Sequence, residues 1–107
     1  MDNEFIFVKV GTLINKIQLA DICAIESEGN YCTIKTSKQA YIQRSSLTKM
    51  KGKLEGQGFI QINKSTLLPV NGIDQIDLAI NEINIAGHTY KLSRSFRKEF
   101  IETLNLL

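Results

Sequence analysis

Two stretches of the chain have the residue types needed to grip a polyanion. Residues 35–64 carry Lys35, Lys38, Arg44, Lys49, Lys51, Lys53 and Lys64 against Glu55 alone, a local balance of +6. Lys91, Arg94, Arg97 and Lys98 then fall within eight positions with no acid among them. Ammonium and guanidinium groups donate hydrogen bonds and accept none, which suits phosphate oxygens and the acceptors on base edges. Residues 1–34 hold two bases and five acids, and residues 65–90 hold three acids and no base, so a net charge of +2 conceals the segregation. Folded onto one face, the two basic stretches would make the footprint of a nucleic-acid binder on a nearly neutral protein. Charge alone leaves open a lysine-rich surface that meets only solvent.

Reactive chemistry is scarce by comparison. The one histidine, His88, follows Gly87 in a hairpin-like context and has no neighbouring acid or nucleophile to make it a general base. No Gly-x-Ser-x-Gly elbow or Gly-x-x-x-x-Gly-Lys loop occurs, and Glu26 and Glu28 alone do not define a paired-carboxylate site. Cys23 and Cys32 lie in apolar stretches, without Cys-x-x-Cys spacing, and read as reduced thiols packed as small hydrophobes. The expectation is a protein that is not an enzyme and holds no metal or cofactor.

The frame for these residues is small. A chain of 107 residues, 43% hydrophobic and 22% charged, suits one globular domain spanning 1–107. No apolar run approaches the roughly 18 residues of a membrane span. The N-terminus, with Asp2 and Glu4, lacks the basic start of a signal peptide, so a cytoplasmic protein without a membrane partner is expected.

Period-two patterns dominate the chain. Phe5–Val10, Lys16–Leu19 and Ile22–Glu26 read as strands, and Ser27–Asn30 as a loop. Tyr31–Thr36 and Gln39–Arg44 alternate around Ser37-Lys38, a hairpin. From Ser45 or Ser46, a capping serine, Leu47, Met50 and Leu54 recur at helical spacing. Gly52 weakens that helix and Gly56 and Gly58 end it, so it should be short. Phe59–Ile62 resumes as a strand, and Pro69 limits Leu67–Val70 to a sheet edge or a bulge. Ile73–Leu78, Ile83–Ala86 and His88–Leu92 follow as short strands. Ser93 then caps an amphipathic helix over 94–105, with Phe96, Phe100 and Leu104 on its inner face. The fold class is mainly β with two helices, one short in mid-chain and one C-terminal. The two helices are separated by strands, so no helix-turn-helix is available and any DNA reading would fall to loops.

Three ordered segments resemble the LytTR domain of bacterial response regulators. Ile22-Cys-Ala-Ile-Glu-Ser-Glu-Gly-Asn-Tyr31 is similar to its I-x-x-I-E-x-x-x-N-Y signature. Phe59-Ile-Gln-Ile-Asn-Lys-Ser-Thr-Leu-Leu-Pro-Val-Asn71 is similar to F-x-R-I-H-R-S-x-I-V-N, and Leu92-Ser-Arg-Ser-Phe96 to V-S-R-x-Y. Gln61, Asn63 and Lys64 stand where the family pattern has arginine, histidine and arginine. A lysine offers a point charge in place of a bidentate fork, so the family's base preference does not carry over to this position.

The resemblance implies an elongated stack of small antiparallel sheets whose loops, with the start of the last helix, enter successive major grooves. By position it assigns base contacts to Asn30, Lys64 and Arg94. The chemistry agrees: arginine and lysine donate to guanine O6 and N7, and asparagine pairs with adenine. The neighbouring Tyr31, Ser65, Ser95, Arg97 and Lys98 would take phosphates, the last two sharing a helix face with Arg94 at i, i+3 and i+4. It further implies double-stranded DNA as partner, two copies on direct repeats, and a receiver domain joined to this one. The competing reading is a protein-interaction module whose basic loops meet an acidic surface.

Overall fold

A computed structural model of the protein describes residues 5–107. The acidic start of the chain, Asp2 and Glu4, lies outside the described residues. The chain forms β1 (Phe5–Val10), β2 (Leu13–Gln18), β3 (Ile22–Glu28), β4 (Tyr31–Thr36), β5 (Ala40–Arg44), α1 (Leu47–Lys53), β6 (Phe59–Asn63), β7 (Thr66–Pro69), β8 (Gln75–Asp77), β9 (Glu82–Ile85), β10 (His88–Lys91) and α2 (Arg94–Glu102). All strand pairs are antiparallel and make three sheets: the β1–β2 hairpin, a central sheet ordered β5-β4-β3-β7-β6, and an outer sheet ordered β10-β9-β8. The molecule measures 45 × 34 × 25 Å along its principal axes, the elongated stack that the family resemblance implies.

The central sheet is covered on both faces, and each face has its own core. Ile22, Ile25, Cys32, Ile34 and Leu67 point to one side and pack with Val8 and Ile17 of the hairpin and with Leu47, Met50 and Leu54. Ala24, Ile62 and Leu68 point to the other and pack with Ile83, Ile85, Leu92 and Phe100. Strict alternation cannot send both Ile22 and Ile25 to one face. A register shift between Ile22 and Ala24 inserts one residue into β3 and resolves the conflict.

Burial on opposite faces also settles the cysteines. Cys32 belongs to the first core and Cys23 lies against the second, so the thiols point apart and both are free. Burial pushes the Cys32 thiol above its ordinary pKa, and the thiol donates to the Ser45 carbonyl at 3.3 Å. Iodoacetamide applied to the native protein should therefore modify Cys23 well before Cys32, as read by peptide mass spectrometry. Equal rates would show that β4 opens as readily as the surface does.

Several details differ from the sequence pattern. β7 lies inside the central sheet, between β3 and β6, despite Pro69. Its pairing with β3 stops at Leu67, two residues before the proline, so no ladder bond on that side needs the missing N–H. β2 begins at Leu13, three residues early. Ile73 sits in a turn that returns its N–H to the Val70 carbonyl at 3.1 Å, which shortens the next strand to Gln75–Asp77. α2 stops at Glu102, where Thr103 and Leu104 N–H groups turn back to Phe100 and Ile101. Ser46, and not Ser45, caps α1, its hydroxyl accepting from Lys49 N–H at 3.1 Å.

Candidate nucleic-acid interface

The two turns that carry Asn30 and Lys64 and the start of α2 that carries Arg94 meet at one end of the central sheet. Glu26 of β3 pairs with Thr66 of β7, and beyond that pair Ser27 N–H donates to the Ser65 carbonyl at 2.8 Å. The β3–β4 turn thus lies beside the β6–β7 turn, about two strand spacings or roughly 10 Å away from centre to centre. The second junction is made by Asn63. Its Nδ2 donates to the Lys91 carbonyl at 2.8 Å, while its Oδ1 accepts from Ser65 N–H at 2.9 Å and Ser65 Oγ at 3.2 Å. A register shift in β6 between Gln61 and Asn63 removes Ile62 from the ladder, and the Ile62 carbonyl accepts from Ser93 N–H at 2.9 Å. The start of α2 is therefore fastened to the end of β6.

Within this frame the expected base readers are free. Asn30, Lys64 and Arg94 are exposed, and their side chains make no hydrogen bond or ion pair among the described residues. Gly29 takes the positive φ of the β3–β4 turn, +61°, so the backbone does not require an asparagine at position 30. Ser65 Oγ is engaged by Asn63, which leaves its hydroxyl lone pairs free. Ser95 is exposed, and its Oγ lies 3.3 Å from Ser93 Oγ. That contact replaces a cap: the Ser93 hydroxyl bonds no amide of α2. Tyr31 is 49% exposed and is not a core residue.

Arg97 is held differently from Arg94 and Lys98. It is half-buried, and its Nη1 donates to the Leu78 carbonyl at 3.0 Å and to Asn81 Oδ1 at 2.7 Å. The side chain thus ties α2 to the β8–β9 turn, where Asn81 has a positive φ of 53°. Nε and Nη2 make no bond among the described residues and stay available to a phosphate.

Only part of the basic middle stretch reaches this end. Lys35 pairs with Glu26, Lys51 donates to Gln61, and Lys38 sits on the β4–β5 turn at the far end of the sheet. Arg44 and Lys49, by contrast, line an open cleft with Gly29, Asn30, Ser45 and Ser46. The β4–β5 register could have revealed Arg44: a two-residue turn at Ser37-Lys38 sets Tyr31 opposite Arg44, as observed. Lys49 carries no comparable signal, because its position depends on how α1 lies on the sheet.

The family model described as LytTr DNA-binding domain matches residues 13–105. The chain belongs to the LytTr DNA-binding domain family. A LytTr DNA-binding domain from Bacillus cereus has the same fold, with a TM-score of 0.82 at 16% identity over 98% of this chain and 100% of that one. The sensory transduction protein LytR of Staphylococcus epidermidis is 28% identical over 103 residues, 92% of this chain and 41% of that protein. LytR of Staphylococcus haemolyticus is 26% identical over 109 residues, 98% of this chain and 43% of that protein. This LytTr domain therefore spans about two-fifths of the length of the curated relatives it matches. Among its described residues, no helix is long and apolar enough to cross a membrane.

Proposed function

We propose that this LytTr domain binds double-stranded DNA sequence-specifically and serves as the output part of a transcription regulator. Asn30, Lys64 and Arg94 read base edges in successive stretches of major groove. Tyr31, Ser65, Ser95, Lys98 and the unbonded edge of Arg97 hold phosphates, which fix register without specifying sequence. The observation that carries this reading is the fastening of two turns and the start of α2 to one end of the sheet through Ser27, Asn63 and Ser93. Rigid backbone with free side chains is the arrangement that direct readout needs, since the ordering cost is met before DNA arrives.

Two copies bind as a pair on direct repeats. The chemistry is binding only, with no catalytic step. The regulating partner is a phosphorylatable receiver domain. The greater length of the sensory transduction relatives supports this last point.

Selection of bound duplexes from a random pool tests the reading. It should recover a motif repeated in the same orientation, and binding to it should weaken steeply with salt, because the counterions released on binding gain less entropy in a saltier solution. A pool that stays random after selection would overturn sequence-specific binding and favour an acidic protein partner for the basic loops.

A further inference from the structure

We infer that the cleft between the β3–β4 turn and the β5–α1 corner is a second phosphate-binding site, in which Arg44 and Lys49 grip the DNA backbone next to the base read by Asn30. The inference rests on the proposed reading of Asn30 and extends it to residues that carry no assigned role.

The backbone around the cleft is fixed. Ser45 N–H donates to the Asn30 carbonyl at 3.1 Å, and the Cys32 thiol donates to the Ser45 carbonyl at 3.3 Å. The turn bearing Asn30 and the corner bearing Arg44 and Lys49 thus behave as one piece. Arg44 stands directly opposite Tyr31 across the β4–β5 ladder, on the same face, and both are exposed. Lys49 is placed by the Ser46 hydroxyl, which binds its backbone N–H and leaves the ammonium untouched. Neither cationic group makes a hydrogen bond or ion pair among the described residues, and no acid lines the cleft. The helix dipole is not needed: α1 has seven residues, and the Ser46 oxygen already occupies its start.

Two unpaired cations in one cleft, with the half-exposed Tyr31 opposite Arg44 in the ladder, match one phosphodiester and its neighbour better than they match a base. The ligand class is therefore the DNA backbone, flanking the base pair that Asn30 contacts. Other lysines of the same basic stretch lack this placement. Lys38 is the instructive one, since the six residues of β4 put it roughly 20 Å away at the other end of the sheet.

The test is a salt titration of duplex binding by the whole domain, using a selected site. Each phosphate contact contributes about 0.9 to the slope of log affinity against log salt. The Arg44→Ala/Lys49→Ala double variant should lower that slope by about 1.8, with the ranking of base substitutions in the site unchanged. Lys38→Ala should leave the slope where it is. Arg44→Lys with Lys49→Arg should restore the wild-type slope, because a phosphate accepts from either cation. Should the double variant lose stability, Arg44→Gln and Lys49→Gln taken singly should each lower the slope by about 0.9. An unchanged slope in the variants at 44 and 49 overturns the inference, and so does an equal loss in Lys38→Ala, which would mean diffuse attraction. An altered base ranking also overturns it, since the two residues would then be reading sequence. Absence of any duplex binding by the wild type would sink the reading of Asn30 as well, and the wild-type control separates that case from the others.

Discussion

Replacing Phe100 by alanine should destabilise the domain by about 3–5 kcal/mol. The ring is fully buried and sits in the second core with Ile62, Leu68, Ile83 and Leu92, where it joins α2 to both the central and the outer sheet. Truncation removes the transfer free energy of the ring and leaves a cavity among strands that cannot collapse inward, since β6 and β9 are fixed by their ladders. Domains of this size are stable by about 5–15 kcal/mol, so the loss takes from about a fifth of the wild-type margin to all of it. Urea unfolding followed by far-UV circular dichroism would read the effect as a lower midpoint at unchanged slope. A cost below about 1 kcal/mol would mean that Phe100 does not anchor α2, and the placement of Arg94 would lose its support. Under strongly native conditions the folded fraction of Phe100→Ala should keep the wild-type base preference, because no group facing DNA has changed.

Arg94→Ala should act in the opposite way, leaving stability almost unchanged while removing preference at one base pair. The side chain is exposed and unbonded among the described residues, so its loss creates no cavity and strands no buried partner. A guanidinium forked onto guanine O6 and N7 discriminates by about 1–3 kcal/mol, a five- to 150-fold loss of selectivity at that position. Lys98→Ala, one helical turn on, should instead weaken binding to all duplexes alike. Competition binding against a panel of single-base substitutions distinguishes the two. If Arg94→Ala preserved the full ranking of sites, the assignment of base readout to the start of α2 would be wrong.

Much of the frame behind these predictions is legible in the sequence because it rests on local chemistry. The hairpin from Tyr31 to Arg44 follows from alternation about a two-residue turn, and its register follows with it. Phe96 and Phe100 at helical spacing identify the inner face of α2, and Leu47, Met50 and Leu54 that of α1. The free positions Asn30 and Lys64 stand out as polar residues in turns, and Arg94 as a base at a helix start, once a family pattern says which segments matter.

What escapes the sequence depends on partners far along the chain. Asn63 reads as one residue of a polar loop, yet it fastens that loop to a carbonyl 28 residues away. Arg97 carries the same helical spacing as Lys98, but Leu78 and Asn81 engage it across 19 and 16 residues. Pro69 suggests a sheet edge and lies in the interior, because the length of the β3–β7 pairing, and not the identity of the residue, decides which groups need donors. Leu13 and Ile14, 66% and 67% exposed, break the alternation that would have placed the start of β2. Among the seven bases of residues 35–64, the family pattern points to Lys64 and the hairpin register to Arg44, whereas only the fold brings Lys49 into the cleft with Arg44.

The account stands on two turns and the start of α2 forming one contact surface, and amide chemical-shift mapping of the isotopically labelled domain during titration with a selected duplex addresses this directly. The shifts are predicted to concentrate at residues 28–31, 63–65 and 93–98, joined by 44–49 if the cleft holds phosphate, with the Ser37-Lys38 turn at the far end of the sheet unmoved. Perturbation confined to one of these segments, or centred on the far end, would contradict it.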